Sequence, residues 1–449
     1  ASLMISEGPA AVDVDALDEA YVKRLYRSLR PYGGTACMEI AADKLEAVAR
    51  IVDGCDLPCV QTKGDGTLAM LVRSGPLPEA SNWSHEGANA ANTGASQDKF
   101  IKGPLTRLWF DGSLRWFRTP GTTLVRVAGG RVFVKSASVP SNVFGQSPRL
   151  HAIDVYTGRH LWETPLSTAH NKAGAFVAVD DALYLSSGAS CVVLNPATGE
   201  QTAKFDLPDG VKGNWAGIGV EGDYLVGTCG KSLMCMDRHD GSLLWKQERE
   251  KAIGGLALGG RRVFVADFVD RRRGAPKTDM STITAGAFDV ATGKQLWQIT
   301  GAADVRYSES LDLVVTANAA YNAADGTPVW KKGGVWSITS DKVLTGNATK
   351  FAAYDLATGK EPVQELSWVT RGCTLLRAGE NMLTTRFRGN AAYIDLASGE
   401  ISSIWNVRAA CSNNLFPANG VLNLPNLSGG CTCNYQPFSQ ALVPSTVFE

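Results

Sequence analysis

Three arginines and two tryptophans have the types and positions that could bind a ligand. Arginines can hold an anion, such as a carboxylate-bearing quinone or a sugar acid, through paired hydrogen bonds, and an indole can stack on a flat ring. The structural alternative is that the arginines bond neighbouring backbone and the tryptophans pack between repeats. The candidate ligand-binding residues are Arg306, Arg371, Arg408, Trp215 and Trp336, with Asn214 beside Trp215.

Four late cysteines form a second candidate group, Cys373, Cys411, Cys431 and Cys433. The first two occupy matching places in successive repeats, and the other two form a Cys-x-Cys pair. One or two disulfides are the favoured interpretation, with a four-thiolate zinc site and free thiols as alternatives. The Cys-x-Cys spacing is tighter than the separation that structural zinc sites usually show.

The other cysteines give weaker signals. Cys55 and Cys59 form either a small loop disulfide or two free thiols, and no Cys-x-x-Cys-His haem motif occurs. Cys191 and Cys235 are predicted to lie in the core.

The five histidines show no metal-ligand spacing. His151, His160 and His239 fall on predicted outer hairpins and are expected to face solvent. The sequence contains no recognisable catalytic triad, paired-carboxylate pattern or phosphate-binding loop, so no catalytic residue is assigned.

A repeated turn motif must position these side chains. In seven copies an Asp or Asn stands four residues before a Gly, and the Gly-to-Gly spacings run from 33 to 52 residues. The Asx side chain starts a turn and Gly supplies positive φ, so each copy predicts a tight hairpin. The copies begin at Asp154, Asn195, Asp237, Asp289, Asn322, Asp355 and Asp395.

The segments around each hairpin predict four strands per repeat, which is one blade of a β-propeller. A Trp follows the Gly at the fourth position in four copies, and we expect it to pack between neighbouring blades. These residues are Trp162, Trp245, Trp297 and Trp330, whereas Trp405 follows at the sixth position.

Two unpaired strands predict how the ring closes. Leu108-Trp109 has the pattern of a lone outer strand, and Phe438–Val443 has the pattern of a third strand without a fourth. Together they complete one blade. We therefore predict an all-β, eight-bladed propeller over residues 105–449, preceded by an α/β segment (1–76) and a linker with the propeller entrance (77–104). The candidate arginines and tryptophans then fall at the channel mouth, where the innermost strands begin.

The pattern Ala-x-Asp-x-x-Thr-Gly-x-x-x-Trp, at 152–162 and 287–297, resembles the tryptophan-docking repeat of pyrroloquinoline-quinone (PQQ)-type propellers. The run 82–96 resembles the stretch that opens the propeller in that superfamily. The resemblance covers about residues 80–449. It implies one of two functions: a cofactor-free propeller like those of outer-membrane-assembly lipoproteins, or a quinoprotein dehydrogenase that oxidises an alcohol or sugar with PQQ and calcium.

We favour the binding or scaffolding function with a protein partner, in the periplasm or cell envelope. The chain has no adjacent Cys-Cys pair, no haem motif and little room for the large loops of the dehydrogenases. The calcium ligands of that family cannot be aligned, so no cofactor is assigned, and PQQ with calcium belongs to the alternative.

The first 75 residues do not share the repeat. Helices at 15–29 and 42–52 and strands at 35–40 and 67–72 predict an α/β alternation. The string from Leu25 to Gly34, followed by a strand, resembles the post-motif region of class I S-adenosylmethionine methyltransferases, and residues 1–7 are a candidate for the preceding strand. The Gly-rich cofactor loop of that family is absent, so this segment alone should not bind the methyl donor. A further alternative is a processed part of a methyltransferase–propeller fusion, whose N-terminal half would be a separate chain.

Bulk properties limit the partners. Lysine plus arginine equals aspartate plus glutamate at 44 each, which does not favour nucleic acid. No apolar stretch approaches the roughly 20 residues of a membrane span.

Overall fold

The computed structural model divides the chain into two compact units, Ala1–Ala80 and Ser81–Glu449. The residues that it describes are 2–6, 17–65, 68–111, 125–136, 148–166, 175–272, 274–347, 349–360, 362–372, 374–407, 409, 413–425 and 439–447. In these residues no helix is both long and apolar enough to cross a bilayer.

The first unit contains two helices packed on one side-chain core with a four-stranded, mostly antiparallel sheet, and its strand Val60–Asp65 was not predicted. Its sheet has the order β1-β2-β4-β3, with β1 parallel to β2 and the other pairs antiparallel. Asp18 caps the first helix by accepting from the Tyr21 N–H, and the apolar faces of both helices share one core with the sheet. The elements are β1 (Leu3–Ile5), α1 (Glu19–Ser28), β2 (Gly34–Glu39), α2 (Leu45–Gly54), β3 (Val60–Asp65) and β4 (Leu68–Arg73).

The described residues of the second unit form eight mainly antiparallel sheets. The first six sheets take four consecutive strands each: β7 (Val125–Ala128), β8 (Arg131–Ser136), β9 (Arg149–Asp154), β10 (His160–Pro165); β11 (Phe176–Ala178), β12 (Leu183–Ser187), β13 (Ser190–Leu194), β14 (Gln201–Asp206); β15 (Gly217–Glu221), β16 (Tyr224–Cys229), β17 (Ser232–Asp237), β18 (Leu243–Glu248); β19 (Ile253–Gly259), β20 (Arg262–Asp267), β21 (Thr284–Asp289), β22 (Gln295–Thr300); β23 (Arg306–Ser308), β24 (Leu313–Val315), β25 (Ala319–Asn322), β26 (Pro328–Lys331); and β27 (Val335–Ile338), β28 (Lys342–Asn347), β29 (Lys350–Asp355), β30 (Pro362–Ser367). The seventh and eighth each add an earlier strand: β5 (Ala95–Ser96) joins β31 (Arg377–Gly379), β32 (Met382–Phe387), β33 (Asn390–Asp395) and β34 (Ile401–Ile404), and β6 (Leu105–Asp111) joins β35 (Phe416–Ala418), β36 (Val421–Leu424) and β37 (Ser439–Pro444).

Every pair of successive sheets shares one apolar cluster. The first sheet also shares a cluster with the eighth, in which Val125 and Val134 lie together with Phe416 and Val421. The strands β7, β11, β15, β19, β23, β27, β31 and β35 begin the consecutive strands of each sheet, and neighbours among them contact one another from β7 to β27 and from β31 through β35 back to β7. We call these first strands the inner strands, and the space that they surround the channel.

The composite eighth sheet confirms the pairing predicted from the two lone strands. β37 pairs antiparallel with β6, and Ala441 lies opposite Trp109. Its third and fourth strands therefore come from opposite ends of the propeller segment, without a hairpin between them.

The repeated motif forms the predicted turn. Asp154 Oδ1 accepts from the backbone N–H groups of Tyr156 and Thr157 at 2.9 and 3.0 Å, and the seven motif glycines have φ between +63° and +77°. Each turn also receives a side chain of the preceding sheet. A Cβ at Gly293 would lie 2.5 Å from the Trp245 ring and would clash with it, so the indole can pack on the turn only because this residue is glycine.

Trp405 differs from the docked tryptophans, since 71% of it is exposed. It follows β34 of the seventh sheet, and the next sheet has no hairpin turn that could receive an indole. The departure of Trp405 from the motif spacing therefore coincides with the change from single-hairpin sheets to the composite eighth sheet.

Candidate functional site: the channel

The segment Ser81–Asp98, called here the opening segment, crosses the channel and bonds all eight sheets. Trp83 exchanges backbone hydrogen bonds with Val127, and β5 pairs with β31. Each of these contacts falls at or near the C-terminal end of an inner strand. The remaining contacts are Ala178 N to Ser84 O, Val220 N to His85 Nε2, Leu258 N to Ala90 O, Tyr307 N to Ala91 O, Ile338 N to Thr93 O, and Asn419 N to Ser81 O.

Asp98 holds the end of this segment. It is fully buried and accepts from the N–H groups of Ser81, Ile101 and Gly420 at 3.1, 3.0 and 2.7 Å. Burial raises the pKa of Asp98, and the backbone donors oppose that shift. The carboxylate therefore fastens the opening segment to the eighth sheet.

His85 is a structural histidine in one fixed tautomer. Its Nε2 accepts from Val220 N at 3.0 Å, so Nδ1 carries the proton and donates to Ser84 Oγ at 2.7 Å. Burial, and then repulsion from Arg126, lowers the pKa of His85 to about 3. The imidazole is thus neutral near pH 7.

Two of the predicted ligand residues lie together at the opposite end of the inner strands. Arg306 begins β23, and its Nε donates to Trp336 O at 3.2 Å. Burial lowers the pKa of Arg306. Neither Arg306 Nη1 nor Trp336 Nε1 has a hydrogen-bond partner among the described residues. The backbone contact fits the structural alternative, whereas the two buried donors without partners fit ligand binding.

Trp215 and Arg371 occupy different surroundings. Trp215 is buried in the cluster between the second and third sheets, and its ring covers Gly227. Arg371 is exposed in the loop before β31, with φ of +52°. The structure therefore does not bring these two residues to Arg306. Arg408 lies outside the described residues.

The four late cysteines also lie outside the described residues, so their pairing stays a prediction. The six described cysteines are free, including Cys55 and Cys59, which excludes the small loop disulfide. Cys191 and Cys235 are fully buried, as predicted, and burial raises the pKa of each thiol to about 12.

Three buried cations near the inner strands were missed by the sequence prediction. Arg126 lies in β7, Arg377 begins β31, and Lys135 is in β8. Burial lowers the pKa of Arg126 to about 10. Burial and then repulsion from Arg126 lower the pKa of Arg377 to about 9 and that of Lys135 to about 8. All three groups are mainly charged at pH 7.

Aromatic rings and carbonyl groups support these cations. Arg126 Nε donates to Phe176 O at 2.7 Å, and Arg377 Nη2 donates to Asn413 O at 3.0 Å. The Arg377 guanidinium also lies 4.0 Å from the centre of the Phe416 ring. Arg126 repels both Arg377 and Lys135 and is attracted by Glu86, and an anion bound beside these buried charges would reduce the repulsion.

The arginine between two valines was the sequence signal that could have identified Arg126. Val125-Arg126-Val127 has the alternation of a strand with one solvent-exposed face, so the pattern predicts an exposed charge, whereas the Arg126 side chain points into a neighbouring sheet.

The fold and its docked tryptophans define a PQQ-like β-propeller. Structures of similar fold include a quinohemoprotein alcohol dehydrogenase from Comamonas testosteroni (TM-score 0.54, 11% identity, covering 81% of this chain and 80% of that one). A europium-containing methanol dehydrogenase matches with TM-score 0.51 and 12% identity, over 77% of this chain and 88% of that one. BamB from Moraxella catarrhalis matches with TM-score 0.49 and 13% identity, over 76% and 98%. At these identities the likeness shows the fold alone.

The chain belongs to the PQQ-like repeat family described as outer membrane protein assembly factor BamB, whose sequence profile matches residues 187–419. No curated protein matches the chain. None of the matching proteins described here is a methyltransferase, so the resemblance of residues 1–75 to that class receives no support.

Proposed function

We propose that the second unit is an eight-bladed, ring-closed propeller that binds a protein partner as a scaffold, without catalysis of its own. The family description, which names an assembly factor, supports this function and a location in the cell envelope. The shared cluster between the first and eighth sheets supports the ring.

The exposed Trp405 is the observation that carries the proposal. Five other repeat tryptophans dock on the next sheet, whereas this indole is presented to solvent. On the outer strand of the adjacent eighth sheet, Phe110 is 60% exposed. Exposed large aromatic side chains are the usual anchors of protein interfaces. We infer that the outer edge of the seventh and eighth sheets contacts the partner.

A photo-crosslinking amino acid placed at position 405 of the full chain tests this surface in the native host. Position 204 on the outer strand of the second sheet is the matched control, because the Lys204 side chain is 52% exposed there. We expect a cross-link to an envelope assembly protein at 405 only, competed by unlabelled wild-type chain and not by Trp405→Ala. Equal cross-linking at both positions would refute the proposed surface.

A quinoprotein dehydrogenase is the second candidate, favoured by the buried cations Arg126, Arg377 and Lys135. They fit the carboxylates of a bound quinone, which would supply the redox chemistry of alcohol oxidation. The buried Asp98 does not fit a calcium ion, since it already accepts from three backbone donors.

The absorbance spectrum and calcium content of natively purified protein separate the two functions. A quinone band together with dye-linked alcohol oxidation would establish the dehydrogenase. A spectrum without a quinone band, together with the absence of calcium, would exclude the dehydrogenase and support the scaffold function.

A third candidate, the processed part of a methyltransferase–propeller fusion, concerns the first unit. Its β1 lies at the edge of the sheet, where Leu3 and Ile5 are 56% and 64% exposed. A separate N-terminal half would pair with that edge. Intact mass of the natively purified protein and a co-purifying methyltransferase fragment would support it, and a chain that purifies alone would not.

A further inference from the structure

Three metal-binding side chains meet on the outer strands of the first sheet. His151 lies in β9, and His160 and Glu163 lie in β10. One ligand atom from each lies within 4.8 Å of the other two. This group could not be predicted from the spacing of its residues, because residues 160 and 163 of a regular strand would point to opposite faces.

A β-bulge brings the three side chains to one face. His160 lies opposite Ile153 and Glu163 lies opposite His151, with a register shift between His160 and Trp162. Since Ile153 and His151 are two residues apart, their partners share a face as well.

The distances are those between ligands of a tetrahedral metal ion. His151 Nδ1 lies 3.4 Å from His160 Nε2 and 3.4 Å from Glu163 Oε2. Bonds of about 2.0–2.2 Å in a tetrahedral site separate the ligand atoms by about 3.3–3.5 Å. Two of the three separations therefore match an ion-binding geometry.

Neighbouring groups orient two of the ligands. Ser136 Oγ donates to Arg149 O at 3.1 Å and accepts from Arg149 N at 3.2 Å, and with its proton placed there it accepts from His151 Nε2–H at 3.3 Å. That tautomer leaves the Nδ1 lone pair directed at the other two ligands. Arg149 Nη1 holds Glu163 Oε1 at 2.9 Å, which leaves Oε2 for the ion. Zinc ligands commonly have such supporting partners.

We propose that His151, His160 and Glu163 bind a divalent transition metal ion, with zinc as the first choice. Two imidazoles and one carboxylate form a ligand set that zinc uses with an open fourth position. The Glu163 side chain is 43% exposed, so water can fill that position. This site lies on the outer strands of the first sheet, and it does not depend on the proposed function.

Zinc titration of the full, chelator-treated chain by calorimetry tests the site. We expect His160→Ala and Glu163→Gln to lose more affinity than the roughly 10- to 100-fold that Ser136→Ala should lose as a supporting partner. His239→Ala is the matched control, because among the described residues His239 Nε2 forms an ion-pair contact with one carboxylate, that of Asp223 at 3.0 Å. It should bind zinc like the wild type. Thermal unfolding of each variant without metal checks that it is folded.

Cobalt absorption identifies the ligands independently. Bands of nitrogen and oxygen ligation that disappear in His160→Ala would support the site. Thiolate-to-cobalt charge transfer would assign the ion to cysteines instead and overturn the proposal. Zinc affinity unchanged in both His160→Ala and Glu163→Gln would also overturn it, and would leave His151 and Glu163 as an ordinary ion pair.

Discussion

The tryptophans of the outer rim, which is formed by the fourth strands and the turns, differ from three other tryptophans in the hydrogen bonds of their indole N–H groups. Each docked rim indole donates to a carbonyl of the next sheet, as Trp297 does to Ala323 O at 2.9 Å. By contrast, three other indole N–H groups have no partner among the described residues: those of Trp336 on an inner strand, Trp215 between the second and third sheets, and Trp368 directly after β30. The other rim bonds are Trp109 to Val155, Trp162 to Pro196, Trp245 to Val290 and Trp330 to Leu356.

This difference distinguishes residues that stabilise the fold from residues that are candidates for binding. The repeat satisfies its own hydrogen bonds at the rim, so its motif residues are structural. Buried polar groups without partners, and buried cations such as Arg126 and Arg377, cost stability and are retained where a ligand or partner can compensate. Ligand binding is therefore expected where the repeats depart from their pattern.

The largest effect should come from removing a docked rim tryptophan. Trp297 is 8% exposed and packs between the fourth and fifth sheets, so Trp297→Ala should lower the free energy of unfolding by about 3–5 kcal/mol. Urea denaturation measures the change. Trp405→Ala is the control and should change stability by less than about 0.5 kcal/mol. Similar losses of unfolding free energy in both variants would contradict the conclusion that packing on the turn of the next sheet makes Trp297 stabilising.

The rim could be predicted from the sequence because its cause is local. The Asx turn, its Gly and a Trp at fixed spacing all lie within a short stretch of sequence. The same outer-strand pattern at Trp109, without a preceding turn, allowed the eighth sheet to be predicted. The cations Arg126 and Lys135 escaped prediction because their burial is decided by a neighbouring sheet. His160 and Glu163 escaped because a single bulged residue changes which face they share.

The opening segment should make stability depend on acid through His85. Its pKa is about 3 in the folded chain and 6.5 ordinarily, so below pH 6.5 the unfolded chain binds a proton that the folded chain does not. Stability should fall as the pH falls, by about 2 kcal/mol at pH 5. Urea denaturation at pH 7.5 and 5 measures it. His85→Gln, which can still accept from Val220, should flatten this slope. An unchanged slope in His85→Gln would mean that groups other than His85 cause the acid dependence.

Lys135 should add an alkaline dependence of smaller size. Burial lowers its pKa to about 8 from 10.5, so between these values the folded chain releases its proton first. Stability should therefore rise by about 1 kcal/mol from pH 7.5 to 9. Lys135→Met should lack the rise and be at least as stable at pH 7.5. A rise retained in the Met variant would place its source elsewhere.

The smallest effect compares the same substitution in both regions. Trp297→Phe leaves Ala323 O without its donor, whereas Trp336→Phe removes an N–H that has no partner among the described residues. We expect the rim variant to lose about 1 kcal/mol more than the channel variant in urea denaturation. Conversely, a carboxylate-bearing quinone added to the protein should protect the wild type more than Trp336→Phe if the channel binds it. Equal stability losses and equal protection would show that Trp336 is another packing residue, and the distinction between rim and channel would then rest on the buried cations alone.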